Sequence, residues 1–171
     1  LALALMLLTG RRTCEILNGT SVFSVDGAHS MCFRGLAKQR GGCDAELCIP
    51  TLAPAVRIVD AIAVLRRKQN HARLTNSETT LRYQSLLGRE MHCGTWHECG
   101  RAHALRGIYA CMCTRLFVWS DDASDAYATM RILGHRGLGE SLVYTPYSLG
   151  DSFSDEPPLG SFVFDDTETD S

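Results

Sequence analysis

Hydrophobic positions along the chain change period part-way through. Residues 13–17 and 20–25 alternate apolar and polar side chains around Asn18-Gly19, and Asp26-Gly27 precedes a further apolar run at 28–33. A period of two marks a strand with one face buried, and Asn-Gly supplies the positive φ angles that a two-residue hairpin needs. The pattern predicts a three-stranded antiparallel meander whose first turn is Asn18-Gly19. Residues 35–48 read as a surface loop, with Arg34, Lys38 and Arg40 beside Gly41-Gly42 as an anion-binding candidate.

Beyond residue 50 the period is that of a helix. Residues 54–70 open on Pro54, which suits a first turn, and carry Val56, Ile58, Val59, Ile62, Ala63, Val64 and Leu65. A helix apolar nearly all round is buried, so Val59, Ile62 and Leu65 are expected in the core. Thr75-Asn76-Ser77-Glu78 fits a capping box and Gly88 a stop, which predicts a helix over 76–87. Leu105, Ile108, Tyr109, Met112, Leu116 and Trp119 recur at steps of three and four, with Arg101, Arg106, Thr114 and Arg115 mostly off that stripe. Ser120-Asp121-Asp122 caps a helix over 123–133 that Gly134 ends, and 141–145 read as a late strand.

The predicted fold class is therefore α+β: an N-terminal antiparallel β-meander, about four helices, a short late strand and an extended acidic C-terminal arm. Residues 1–146 form a single α+β domain, and 147–171 the arm. Leu1 to Leu8 are apolar but too few for a bilayer span, which takes about 20 residues. They read as a buried strand or helix end continuing from upstream sequence, in a chain that is processed or cut from something longer.

Composition adds little, because 45% hydrophobic and 21% charged residues are ordinary for a globular domain. Charge layout adds more. Residues 1–136 carry a difference of +6 and residues 137–171 one of −8, with all the basic side chains in the first part. Such asymmetry implies either an arm that screens the body or two parts that meet different partners. Eight cysteines without regular spacing or a secretion signal predict mostly free thiols.

The densest candidate chemistry lies in 92–119, which holds four of the cysteines, three of the six histidines and both tryptophans. Cys93, His97, Cys99 and His103 are the metal candidates, since Cys99 and His103 would share a helix face and zinc is the cation they suit. No Cys-x-x-Cys pair supports them, and His97-Glu98 fails as a zinc-protease helix because position 101 is Arg. Arg66, Arg67, Lys68 and Arg73 form the nucleic-acid-binding candidate, though cations also suit a helix C-terminus. The Gly-rich 135–141 follows a helix rather than a strand, so it is not a phosphate loop. In the arm, Phe153, Phe162 and Phe164 are the partner-binding candidates.

No catalytic motif survives this reading, which favours a structural subunit or processed piece of a larger assembly, such as a viral capsid or coat component, and not an enzyme. The expected partners are other protein subunits, with nucleic acid as a further one and neither a membrane nor a small-molecule substrate implied. An intracellular or virion-like setting is expected. A zinc-binding module at 92–113 and a nucleic-acid-binding protein using 66–73 are the alternatives.

Overall fold

The computed structural model describes residues 1–37, 46–69, 74–93, 101–119, 124–135, 137–141 and 159–162. The apolar start is helix α1, Ala2–Thr9, ended by Gly10 in the left-handed region at φ 63°. Helix α2, Thr13–Leu17, follows at once. This overturns the expected first strand and the Asn18-Gly19 hairpin. Glu15 accepts the Arg12 amide proton at 2.8 Å, closing a helix start, and Cys14 through Leu17 are all buried in succession. Five residues are too few for period alone to tell a strand from a helix sunk on every side. Asn18 ends α2 instead: its amide donates to Leu74 O at 2.8 Å and Asn76 Oδ1 at 3.2 Å, tying α2 to the start of a helix 58 residues away in sequence.

The meander lies one strand further on. Strands β1 (Val22–Gly27), β2 (Ser30–Arg34) and β3 (Leu47–Pro50) form an antiparallel sheet in that order. Ala28-His29 make its first turn, with Asp26-Gly27, expected to be the turn, closing β1 instead, and its third strand begins in residues read as loop. Phe23 opposes Phe33 with stacked rings 5.4 Å apart, and Leu47 follows in register on the same face. On the other face Cys32 opposes Cys48, and the two are disulfide-bonded, while Cys14, Cys93, Cys111 and Cys113 remain thiols.

Helix α3 is Ala55–Gln69. Its Ile58, Ile62 and Leu65 are buried, Val59 is half-buried, and Val56 and Val64 are exposed. A period of 3.6 therefore sorts the apolar run, which is not buried all round. In helix α4, Asn76–Met91, the capping box is as expected, with Thr75 and Glu78 exchanging bonds of 2.8 and 3.2 Å. Gly88 does not stop it, because continuing one turn buries Met91 completely. Helix α5 is Ala104–Leu116 and α6 is Asp125–Leu133, begun by Ser124 and closed by left-handed Gly134. The short α7, Leu138–Ser141, stands where the late strand was to begin; 142–145 lie outside the described residues.

Strand β4 (Phe117–Trp119) pairs in parallel with β5 (Gly160–Phe162). Phe162 thus belongs to a strand, and Phe153 and Phe164 fall outside the described residues. The main core joins α1, α2, β2, β3, α3, α4 and α5; a smaller one packs α5 against α6. Among the described residues no helix is long and apolar enough to cross a membrane.

Candidate active site

A helix ends with carbonyls that have no partner inside it, at the negative end of its dipole. Here buried arginines supply the missing donors. Arg106, on α5, gives one N–H to Gly10 O at the end of α1 and another to Leu133 O, 3.1 Å, at the end of α6. Arg11 donates to Ile132 O in the same α6 end and to Thr9 O at 3.2 Å, with its guanidinium 4.9 Å from the centre of the Phe33 ring. Both side chains are almost wholly inaccessible. Arg66 treats α2 alike, donating to Glu15 O at 2.7 Å, Ile16 O at 2.9 Å and, beyond the helix, Ser21 O at 2.7 Å.

One buried carboxylate faces this cationic corner. Glu15 bonds the Arg12 guanidinium at 2.8 Å and accepts the Ala37 amide proton at 3.1 Å. Burial works to raise its pKa, but Arg11, Arg12, Arg106 and the Arg12 amide outweigh burial and hold it at about 2. Burial lowers the Arg11 guanidinium to about 10, which leaves it charged at neutral pH. Three guanidinium groups thus share one carboxylate, and the excess is positive.

That excess borders a cleft of about 900 Å³ between α2, α4 and the start of α5. Arg12, Arg101, His103 and Arg106 line it. His103 and Arg106 reach it together because residues three apart share a helix face. His135, just past α6, feels the same charges. Burial, then Arg106, Arg12, Arg11 and His103, lower it to about 4. It is a neutral imidazole at pH 7, with one ring N–H and one acceptor nitrogen. Such a cleft suits an anion with several oxygens, a phosphate above all.

The sequence candidates fare unevenly. Arg66 donates to three backbone carbonyls and does not line the cleft, so it is a structural residue; Arg67 and Lys68 are exposed, and Arg73 lies outside the described residues. Cys93 is exposed after α4 and His103 stands at the cleft, while His97 and Cys99 lie outside the described residues. The apolar stripe of α5 put Arg106 at the surface, yet it is buried, because an arginine paired with helix-end carbonyls tolerates burial as an unpaired one does not. Arg12, Glu15, Arg106 and His135 were missed as a group. The legible traces were Glu15 three residues after Arg12, in capping-box spacing, and His103 three before Arg106.

The family model described as the telomere resolvase ResT/TelK catalytic domain matches residues 1–147. The chain belongs to this family. This overturns the reading as a structural or capsid subunit without enzymatic activity, since the matching family is a catalytic domain of DNA-processing enzymes. Solved structures of similar fold include a protelomerase TelA covalently complexed with substrate DNA, at TM-score 0.74 and 22% identity over 86% of this chain and 52% of that one. A protelomerase TelK complexed with substrate DNA follows at TM-score 0.75 and 24% identity, over 93% of this chain and 34% of that one. A TelA mutant complexed with DNA hairpin product gives TM-score 0.71 and 23% identity, over 88% and 53%. The chain thus spans about half the length of the TelA structures it resembles and a third of TelK. No curated protein sequence matches it.

Proposed function

We propose that this chain is the catalytic part of a DNA-cleaving and rejoining enzyme, and that the α2–α4–α5 cleft holds the scissile phosphate. The observation that carries the reading is the convergence of Arg12, His103 and Arg106 on one cleft, with Glu15 as the carboxylate locked behind them. Family membership supports it, as do neighbours captured covalently on substrate DNA and with a hairpin product. In attack on phosphorus, negative charge spreads over the phosphoryl oxygens, and fixed guanidinium groups in a partly dry site stabilise it without reorganising. Glu15 orients Arg12, and His135 stays neutral under the same guanidinium charges.

A covalent link to DNA needs a protein nucleophile. None of the described tyrosines lines the cleft, and Tyr109 is spent on Pro50 O at 2.8 Å with its phenol raised well above its usual range by burial. The sequence supplies Tyr144 and Tyr147 directly after α7. A phenol, with a pKa of about 10, leaves far more readily than an aliphatic hydroxyl, so the bond it forms to phosphorus can be reversed. In this reading its oxygen attacks phosphorus and a DNA hydroxyl departs with a proton; a DNA hydroxyl later attacks the phosphotyrosine and returns the phenol. One phosphodiester-type bond is exchanged for another, so rejoining needs no outside energy. The test is incubation of the full-length protein with labelled hairpin-forming duplex. Tyr144→Phe or Tyr147→Phe should abolish the protein–DNA adduct, and Arg12→Ala should slow it at least 100-fold with binding retained. Normal adduct formation in both phenylalanine variants, or in Arg12→Ala, refutes the assignment.

A further inference from the structure

On the sheet face turned away from Phe23 and Phe33, strand register brings a second set of chemical groups together. Cys32 on β2 lies directly opposite Cys48 on β3. β1 contains a bulge between Val25 and Gly27, so Asp26 is the extra residue of its strand. Bulges re-aim side chains, and this one sets the Asp26 carboxylate beside the two sulfurs. The ligand atoms of Asp26, Cys32 and Cys48 all lie within 4.8 Å of one another. Ser30 Oγ donates to Asp26 Oδ2 at 2.7 Å, which fixes the carboxylate as an outer partner fixes a metal ligand.

We propose that Asp26, Cys32 and Cys48 form a zinc-type metal site in the reduced protein, and that the disulfide is its oxidised alternative. Two thiolates and a carboxylate are a common donor set for a tetrahedral zinc ion, with metal–ligand distances of about 2.0–2.3 Å. Asp26 is exposed, so the fourth position opens to solvent and takes a water. The two states exclude each other because the same sulfurs serve both. A dithiol delivers two electrons and two protons to the S–S bond and becomes a disulfide itself; Cys32 and Cys48 then release those two protons as they bind the cation. Either state ties β2 to β3, and from β2 the chain runs on to Ala37 at the cleft wall.

This site is separate from the Cys93, His97, Cys99 and His103 set, and the experiment distinguishes them. The full chain is reduced with dithiothreitol, desalted without oxygen and titrated with cobalt(II), with zinc(II) displacing the cobalt. Thiolate-to-cobalt absorption and native mass spectrometry read the stoichiometry. The reduced protein should take up one equivalent and the disulfide form none. Cys32→Ser and Cys48→Ser should abolish uptake, and Asp26→Asn, an exposed and fold-neutral change, should weaken it at least tenfold. Cys93→Ser should leave it unchanged. Absence of uptake by the reduced wild type, full uptake by Cys32→Ser, or undiminished affinity in Asp26→Asn overturns the site.

Discussion

Replacing Arg66 by alanine separates an arginine that holds the fold from one that meets DNA. Its guanidinium donates to Glu15 O, Ile16 O and Ser21 O at 2.7, 2.9 and 2.7 Å, and stands 5.1 Å from the centre of the Phe23 ring. Those three carbonyls belong to residues that are themselves buried, so alanine leaves the acceptors short of donors. A hydrogen bond from a charged group contributes ~1.5–3 kcal/mol, and an unsatisfied buried acceptor costs ~1–3 kcal/mol. The three bonds share one side chain and do not add, and water entering the vacated space restores part. A net loss of ~3–5 kcal/mol follows, as for breaking other buried charged networks. In a domain of this size each kcal/mol shifts Tm by about 2–4 °C, so Tm should fall by about 6–20 °C. In urea the midpoint should fall with the slope unchanged. Arg66→Lys, which keeps the charge but loses the planar fork, should be intermediate. Arg67→Ala, at an exposed position, should stay within about 0.5 kcal/mol. The salt dependence of DNA binding is the second readout: at a temperature where the variant is folded, its slope should equal that of the wild type. A stability change under about 0.5 kcal/mol together with a slope shallower by about one phosphate contact refutes the structural role.

Three further outcomes follow from the same geometry. His135 has its folded pKa lowered from 6.5 to about 4, so the unfolded chain takes a proton first and stability present above pH 6.5 is lost as pH falls toward 4; denaturant melts across that range should show the loss, and an equal loss in His135→Asn would refute the assignment. Gly10→Ala places a Cβ 2.2 Å from the Tyr109 ring at φ +63°, so it should destabilise by ~3 kcal/mol or more and disturb the Tyr109–Pro50 bond; a near-native melt would mean that α1 and α5 do not meet as described. Ile62→Ala removes a fully packed side chain from α3 and should cost ~2–5 kcal/mol by urea titration, whereas a loss under about 0.5 kcal/mol would place the residue at the surface.

Local physics was legible wherever an interaction closes within a few residues. The Thr75–Glu78 capping box, the Gly134 stop and the long helix around Ile62 are all of that kind. The five residues of α2 were not legible, since their helical form depends on burial on every side and on Asn18 reaching Leu74 and Asn76. Nor was β3, a four-residue strand fixed by pairing across β2 rather than by its own pattern. The site was hidden for a related reason. Charge along the sequence shows a basic body and an acidic end, and it does not show which arginines are used up. Tertiary structure decides that: distant carbonyls take up Arg11 and Arg66 away from the cleft, whereas Arg106, though bonded to two helix ends, also lines it beside Arg12, which Glu15 ties in place. The sequence by itself determined a mixed α and β domain with an excess of arginine. Only the packing of α1, α2, α5 and α6 decided that Arg12, His103 and Arg106, far apart in the chain, line one cleft, with His135 under the same charges. Long-range placement of charge has no local signature, because the partner that makes a buried cation tolerable sits on another element.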